Sequence, residues 1–228
     1  MVLPVGSIIN AAAIIVGTFV GMYFSRFFPD RIKTIVFQAL GMITLSLGIQ
    51  MFFKGVKPLP IILSLILGGI IGEALSLEER TNQLGNSLKR LIRSKDVKFT
   101  EGFVTAVMLY AIGSLVILGP LEEALTGQRT LLITKSTLDG VASIALASTY
   151  GIGVGFSSIP ILVIQGGVTL GAGYLQHFFS EYMLSQMIAV GGVMVMGIGL
   201  NLLEIKKIKV ISFLPALVLS ILFSLVHF

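Results

Sequence analysis

Eight apolar runs, each of roughly the twenty residues that a helix needs to cross a hydrocarbon layer, are separated by short gaps that hold most of the charge of this chain. In lipid every backbone N–H and C=O must be bonded within its own segment, so runs of this length read as helices. They lie at 2–24, 32–53, 58–75, 102–121, 137–153, 157–177, 185–203 and 210–227. The division of the uncharged stretch from Leu138 to Phe179 rests on the glycine-rich turn Gly151-Ile-Gly153-Val-Gly155-Phe-Ser-Ser158. The reading is an all-α polytopic membrane protein with about eight transmembrane helices.

Composition excludes the soluble alternative. Of the 228 residues 55% are hydrophobic and 12% charged, with a mean hydropathy of +0.98, whereas a soluble domain carries about a quarter charged residues to cover its outside. The formal charge of +5 does not mark a nucleic-acid binder, because the 16 Lys and Arg residues are spread along the gaps and not gathered with aromatics on one face. Cysteine is absent, which rules out disulfides and thiolate metal sites and leaves the redox compartment open. The first apolar run has no basic stretch before it and reads as a span, not a removable signal.

Basic residues near span ends stay on the cytoplasmic side. With eight spans, one set of gaps holds twelve Lys and Arg residues and the other holds four, namely Lys54, Lys57, Arg129 and Lys135. With seven the count falls to nine against seven, so eight is favoured and both termini are expected outside. The longest gap, 76–100, carries Leu84, Leu88 and Leu91 at helical spacing among Lys89, Arg90 and Arg93. It reads as an amphipathic helix on the inner leaflet or as a solvated connector.

Sliding the chain along itself by 151 positions aligns residues 1–77 with 152–228 and gives ten identities. These are few for so apolar a chain, and the weight lies in their placement: Thr18 with Thr169, Tyr23 with Tyr174, Phe27-Phe28 with Phe178-Phe179, Gly41 with Gly192 and Gly48 with Gly199. Asp30 meets Glu181 and Gln50 meets Asn201 in the same register. The offset carries spans one to three onto six to eight, five crossings later, so the copies run in opposite directions. The chain thus divides into a first repeat (1–77), a middle part of amphipathic segment and spans four and five (78–156), and an inverted second repeat (157–228). Inverted repeats build many secondary transporters, and channels as well.

Polar residues inside the spans are the candidate chemistry. Gln165 sits in the sixth span beside Gly166 and Gly167, where a helix can unwind and offer backbone groups to a solute, or where the amide simply bonds a neighbour. Lys135-Ser136-Thr-Leu-Asp139 places an ammonium and a carboxylate one turn apart at the mouth of the fifth span, as a functional pair or as an interfacial lock on the helix end. Asn10 lies within the first span; with Gln50 and Asn201 it is expected to tie helices together, with contact to a substrate as the alternative. Glu122 and Glu123, after Pro120 at the outer end of the fourth span, are placed to meet Lys135 across the connecting loop, but are expected to be solvated. Gly17 with Gly21, Gly68 with Gly72, Gly151 with Gly155 and Gly167 with Gly171 have the spacing of close helix contacts. No His-Glu-x-x-His pair, nucleophile elbow or phosphate loop occurs, so neither an enzyme, a metal nor a cofactor is expected.

The opening Gly6-Ser-Ile-Ile-Asn10 with Gly17 and Gly21, the stretch Lys135-Ser136-x-x-Asp139-Gly140, the Gly151-x-Gly153-Val turn and Gln165-Gly166 together resemble the YqgA/YdfK-like family of bacterial inner-membrane proteins, a domain of unknown function. The resemblance covers nearly the whole chain. The loop Glu123-Ala-Leu-Thr-Gly127 departs from the acidic, glycine-containing stretch that the family often carries there. The resemblance implies a polytopic bacterial inner-membrane protein and supplies no substrate.

The expectation is a small transporter of an unidentified solute or ion, with Asn10, Lys135, Ser136, Asp139, Gln165, Gly166 and Gly167 at its path. A channel, or a non-transporting scaffold or subunit that recruits a partner through 76–100, stands as the alternative. A homodimer is plausible from the close-packing glycines.

Overall fold

The computed structural model describes all residues except 1–2, 26–28, 92, 95, 113–114, 176–179 and 226–228, and the side chains of 30, 33 and 173–175 are likewise left aside. The Phe27-Phe28 and Phe178-Phe179 anchors of the repeat, and both histidines, therefore lie outside the described residues. In chain order the helices are α1 (Val5–Phe24), α2 (Asp30–Phe52), α3 (Pro58–Ala74), α4 (Leu77–Leu91), α5 (Phe99–Ala111), α6 (Leu115–Thr126), α7 (Thr130–Tyr150), the single turn α8 (Gly153–Phe156), α9 (Ser158–Leu175), α10 (Glu181–Leu202) and, after a 3-10 turn at Val210–Phe213, α11 (Leu214–Leu225).

Local chemistry sets several of these ends. Pro58 opens α3, where a missing N–H costs nothing. Ser180 caps α10 by accepting from the Met183 amide at 3.2 Å. α7 stops at Gly151, whose φ of +72° is a conformation that side chains with a Cβ rarely adopt, so the uncharged stretch does divide into two helices at the glycine turn. On α4, Glu78 and Glu79 occupy the first turn and Lys89 and Arg90 the last, each sign at the helix end whose dipole favours it.

Among the described residues, five helical stretches are long and apolar enough to cross a bilayer: Val5–Phe24, Thr34–Phe52, Thr130–Tyr150, Gly153–Ala172 and Glu181–Leu202. Two bent pairs bring the number to seven if each counts as one span: α3 with α4, bent by 55°, and α5 with α6, bent by 57°. The expected eighth run appears as the shorter apolar stretch Val210–Leu225. The expected single helix 102–121 is thus corrected to two helices. α5 ends at Ala111, and Pro120 sits inside α6, where it removes one ladder bond.

Along the long helices, large apolar side chains point outward: Ile8, Ile15 and Phe19 on α1, Met42, Ile43 and Leu47 on α2, Ile62, Ile66 and Ile70 on α3. Rows of this kind along whole helices are tolerable only against lipid or another apolar surface. On α4, Leu84 and Leu91 are exposed as well, consistent with the amphipathic reading of that segment.

The chain packs as two units. The first comprises Met1–Phe37 and Leu84–Phe178, the second Gln38–Gln83 and Phe179–Phe228. In the first unit α1 lies along α7, α9 packs on α6 and α1, and α5 meets α8. The α1–α7 approach needs glycine. A Cβ on Gly17 would strike the carbonyl of Gly140, and one on Gly21 the carbonyl of Ile144.

In the second unit α3 runs against α11, and α10 packs on both. A Cβ on Gly68 would meet Ala216, and one on Gly72 the carbonyl of Ser212. Residues of α2 cross α10 at a second close contact, where Gly41 faces the Gly199 carbonyl and Gly48 that of Gly192. Asn201, expected to tie helices together, instead bonds the backbone N–H and C=O of Ile208 at 2.7 and 2.9 Å and so fixes the loop after α10. Gln50 is exposed.

Candidate functional site: a buried polar cluster on α7

Because α7 begins at Thr130, Lys135 and Asp139 lie in its second and third turns and not at a helix mouth. Both are nearly inaccessible, at 5% and 6% exposure. Their spacing of one turn brings the Lys135 Nζ to 2.6 Å from the Asp139 Oδ2. The glycine contact with α1 then carries Asn10, fully buried, to the same carboxylate, and its Nδ2 donates to Asp139 Oδ2 at 3.0 Å and to Gln165 Oε1 of α9 at 3.2 Å. Four residues separated by up to 155 positions in the chain thus form one network from three helices.

The carboxylate dictates how both amides are turned. Asn10 must present its NH2 to Asp139, and Gln165 must then present its carbonyl to Asn10, since each reversed amide would set like against like. The remaining atoms, Asn10 Oδ1 and Gln165 Nε2, are buried without a hydrogen-bond partner, as is the hydroxyl of Ser7 one turn before Asn10. Buried polar atoms left unpaired cost about 1–3 kcal/mol each, so the arrangement is held by the packing around it.

The other expected residues distribute as follows. Ser136 is buried, but its hydroxyl donates to the Leu132 carbonyl of its own helix at 2.7 Å and does not join the network. α9 runs unbroken through Gln165, Gly166 and Gly167. Of the two readings of this stretch the unwound helix is the one corrected: the backbone there is satisfied by the helix, and the Gln165 side chain bonds Asn10 of a neighbouring helix. Gly166 is buried beside Pro4, whereas Gly167 has open space around it.

Sequence reasoning missed two features of this unit. Glu123, expected to be solvated, is fully buried. Its Oε1 accepts from the Gly6 amide in the first turn of α1 at 2.8 Å and from the half-exposed Arg129 guanidinium at 2.6 Å, while Oε2 has no partner. Its neighbour Glu122 accepts from the Leu131 amide at 3.0 Å in the first turn of α7. These carboxylates serve helix N-termini, where the dipole and the free amides favour negative charge. The second feature is Tyr110 of α5, fully buried, whose Oη lies 2.8 Å from the Ser143 Oγ one turn past Asp139. A hint for both was the set of small residues, Gly6 and Ser143, that leaves room for them.

A helical chain with outward apolar faces along its spans and a charged pair enclosed within them is a multi-pass membrane protein. The chain belongs to the family described as "Protein of unknown function (DUF554)", whose model matches residues 5–225. It is 36% identical over 218 residues to "Uncharacterized membrane protein YdfK" of Bacillus subtilis (strain 168), covering 94% of this chain and 93% of that protein. It is 31% identical over 221 residues to "Uncharacterized protein YqgA" of Escherichia coli (strain K12), covering 95% and 94%. No solved structure matches.

Proposed function

We propose that this chain is a small secondary transporter of the bacterial inner membrane, with eight spans, an inverted repeat and a solute path at the Lys135–Asp139–Asn10–Gln165 network. The observation that carries this reading is the network itself. An ion pair bridged to two amides, with an acceptor on Asn10 and a donor on Gln165 left over, is an expensive thing to hold at membrane depth, and such groups cluster on solute and ion pathways.

The repeat is supported by the α2–α10 crossing. Gly41 faces Gly199, the equivalent of Gly48, while Gly48 faces Gly192, the equivalent of Gly41. Leu45 lies over Gly199 and its equivalent Met196 over Gly48. Reciprocal contacts of this form are what a two-fold relation produces. The pairs α1 with α9 and α3 with α11, which the same offset relates, are also in contact. Eight spans place both termini on one side of the membrane, outside. Reporter fusions to both ends that gave opposite signals would rule out eight spans and the inversion with it.

The transport reading is tested in liposomes. Solutes that raise the unfolding temperature of the detergent-purified protein are loaded and their flux followed. Asp139→Asn and Gln165→Ala, each removing a hydrogen bond in a charged network worth about 1.5–3 kcal/mol, are expected to cut flux by about tenfold to a hundredfold while leaving insertion intact. Normal flux in both variants would show that the path lies elsewhere.

A further inference from the structure

We propose that the coupling ion is the proton: Asp139 takes up and releases it, and a file of hydroxyl and carboxyl groups along α7 links Asp139 to the face of the first unit that bears Asp96. This deepens the transport reading, on which its biological purpose rests, and it names the ion that drives solute movement.

Two observations select a proton. The members of the network are at most 6% exposed, so whatever reaches Asp139 in this conformation is very small. The place a metal cation would take against the carboxylate is already held by the Lys135 ammonium at 2.6 Å. A proton needs no coordination shell, and adding one to Oδ2 converts a bidirectional acceptor into a neutral carboxyl that no longer holds Lys135 or Asn10 in place. One chemical event therefore loosens α7 from α1 and frees the Lys135 ammonium for a solute anion. The charge bookkeeping is simple: the carboxylate gains one proton and loses its charge, and the ammonium keeps its own.

The route runs along α7, about 6 Å of rise from Asp139 to Ser143 and about 7.5 Å from Ser143 to Ser148. Past Asp139 comes Ser143, hydrogen-bonded to Tyr110 at 2.8 Å with either oxygen able to donate, so the pair can pass a proton in either direction. Beyond it, Ser148, Thr149 and Gly151 line a cleft of about 450 Å³ together with Ser25 and Asp96. The Thr149 hydroxyl is buried there without a partner, and the Asp96 carboxylate lies against Gly151, where a Cβ would strike it.

Lys135 on its own helix and Asn10 from α1 bond Asp139 directly, Gln165 from α9 bonds Asn10, and Tyr110 from α5 bonds Ser143 one turn further along α7. Glu123 of α6 faces Gly6 and Arg129 instead.

Infrared difference spectroscopy of the full-length protein in liposomes, switched between about pH 3 and pH 9 so as to start below the ordinary carboxyl range and end well above it, tests this without any solute. The expected result is a protonated-carboxyl C=O band at the acid end that is absent in Asp139→Asn and displaced to higher pH in Asn10→Ala, which removes a hydrogen bond that favours the carboxylate form. Tyr110→Phe is expected to keep the band but slow its appearance after a pH jump by about tenfold, the effect of about 1.4 kcal/mol on a barrier.

Identical spectra for wild type and Asp139→Asn would overturn the proposal. If Asp139→Asn fails to insert, the Asn10→Ala displacement decides alone, and an unmoved band overturns it. An unchanged rate in Tyr110→Phe overturns the route through Ser143. A silent Asp139 with flux that Asp139→Asn abolishes sinks proton coupling and leaves the solute path standing; a titrating Asp139 with flux indifferent to its loss sinks both the coupling and the path at Asp139, and leaves only transport by another route.

Discussion

Lys135→Met alone should destabilise the protein by about 3–5 kcal/mol, the cost of leaving a buried charge without its partner, and Asp139→Leu alone should do about the same. The double variant Lys135→Met/Asp139→Leu should recover most of that loss. Two well-packed apolar side chains need no desolvation, and replacing a buried ion pair in this way is often neutral or stabilising. The recovery is incomplete, because Asn10 loses the acceptor for one of its bonds, at about 1–3 kcal/mol for a buried donor left unpaired.

The measurement is the unfolding midpoint in detergent for the three variants, with flux in liposomes alongside. Stability and transport then separate. A pair that only pins α7 gives a double variant that is stable and moves solute. A pair that handles solute or proton gives a double variant that is stable and inert. Single variants indistinguishable from wild type would mean that water reaches both groups and that the enclosure is not real.

The second large effect concerns glycine. Gly17→Ala and Gly21→Ala should each cost about 1–3 kcal/mol or more, because the added methyl meets a backbone carbonyl of α7 that no rotamer change can move. Gly167→Ala should be neutral or stabilising by up to about 1 kcal/mol, since nothing lies within 4 Å of its Cβ and alanine is the better helix former. The three substitutions are chemically the same, and all three glycines belong to four-residue glycine pairs. Unfolding midpoints distinguish them. A Gly17→Ala protein as stable as wild type would mean that α1 and α7 do not touch at Gly140. Loss at Gly17 should also weaken flux, because the same approach holds Asn10 against Asp139.

That contrast marks where sequence reading ends. Gly17-x-x-x-Gly21 and Gly167-x-x-x-Gly171 are the same motif to a reader of the sequence, yet the first closes a helix contact while Gly167 stands in the open. Glu123 misled for a related reason. After Pro120, near a loop, a carboxylate reads as solvated, and only the arrival of Gly6 from 117 residues away gives it a buried amide to hold. Asn10, Lys135, Asp139 and Gln165 were legible as individuals, because a polar side chain in an apolar run must find a partner. Their meeting was not.

The bilayer explains the division. Its thickness sets how many consecutive apolar residues a crossing requires, and that is a local quantity, so the sequence by itself determined that the chain is a multi-pass membrane protein, roughly where its spans fall, and which few residues in them carry polar atoms. Which face of each span meets another helix is not local. Lipid tails and protein interior are equally apolar, so α1, α7 and α9 carry no strong stripe to point inward, and pairings over 129 and 155 residues follow only from how closely glycine lets the backbones approach. The tertiary structure decided that, and with it the meeting of a carboxylate, an ammonium and two amides in a dry interior.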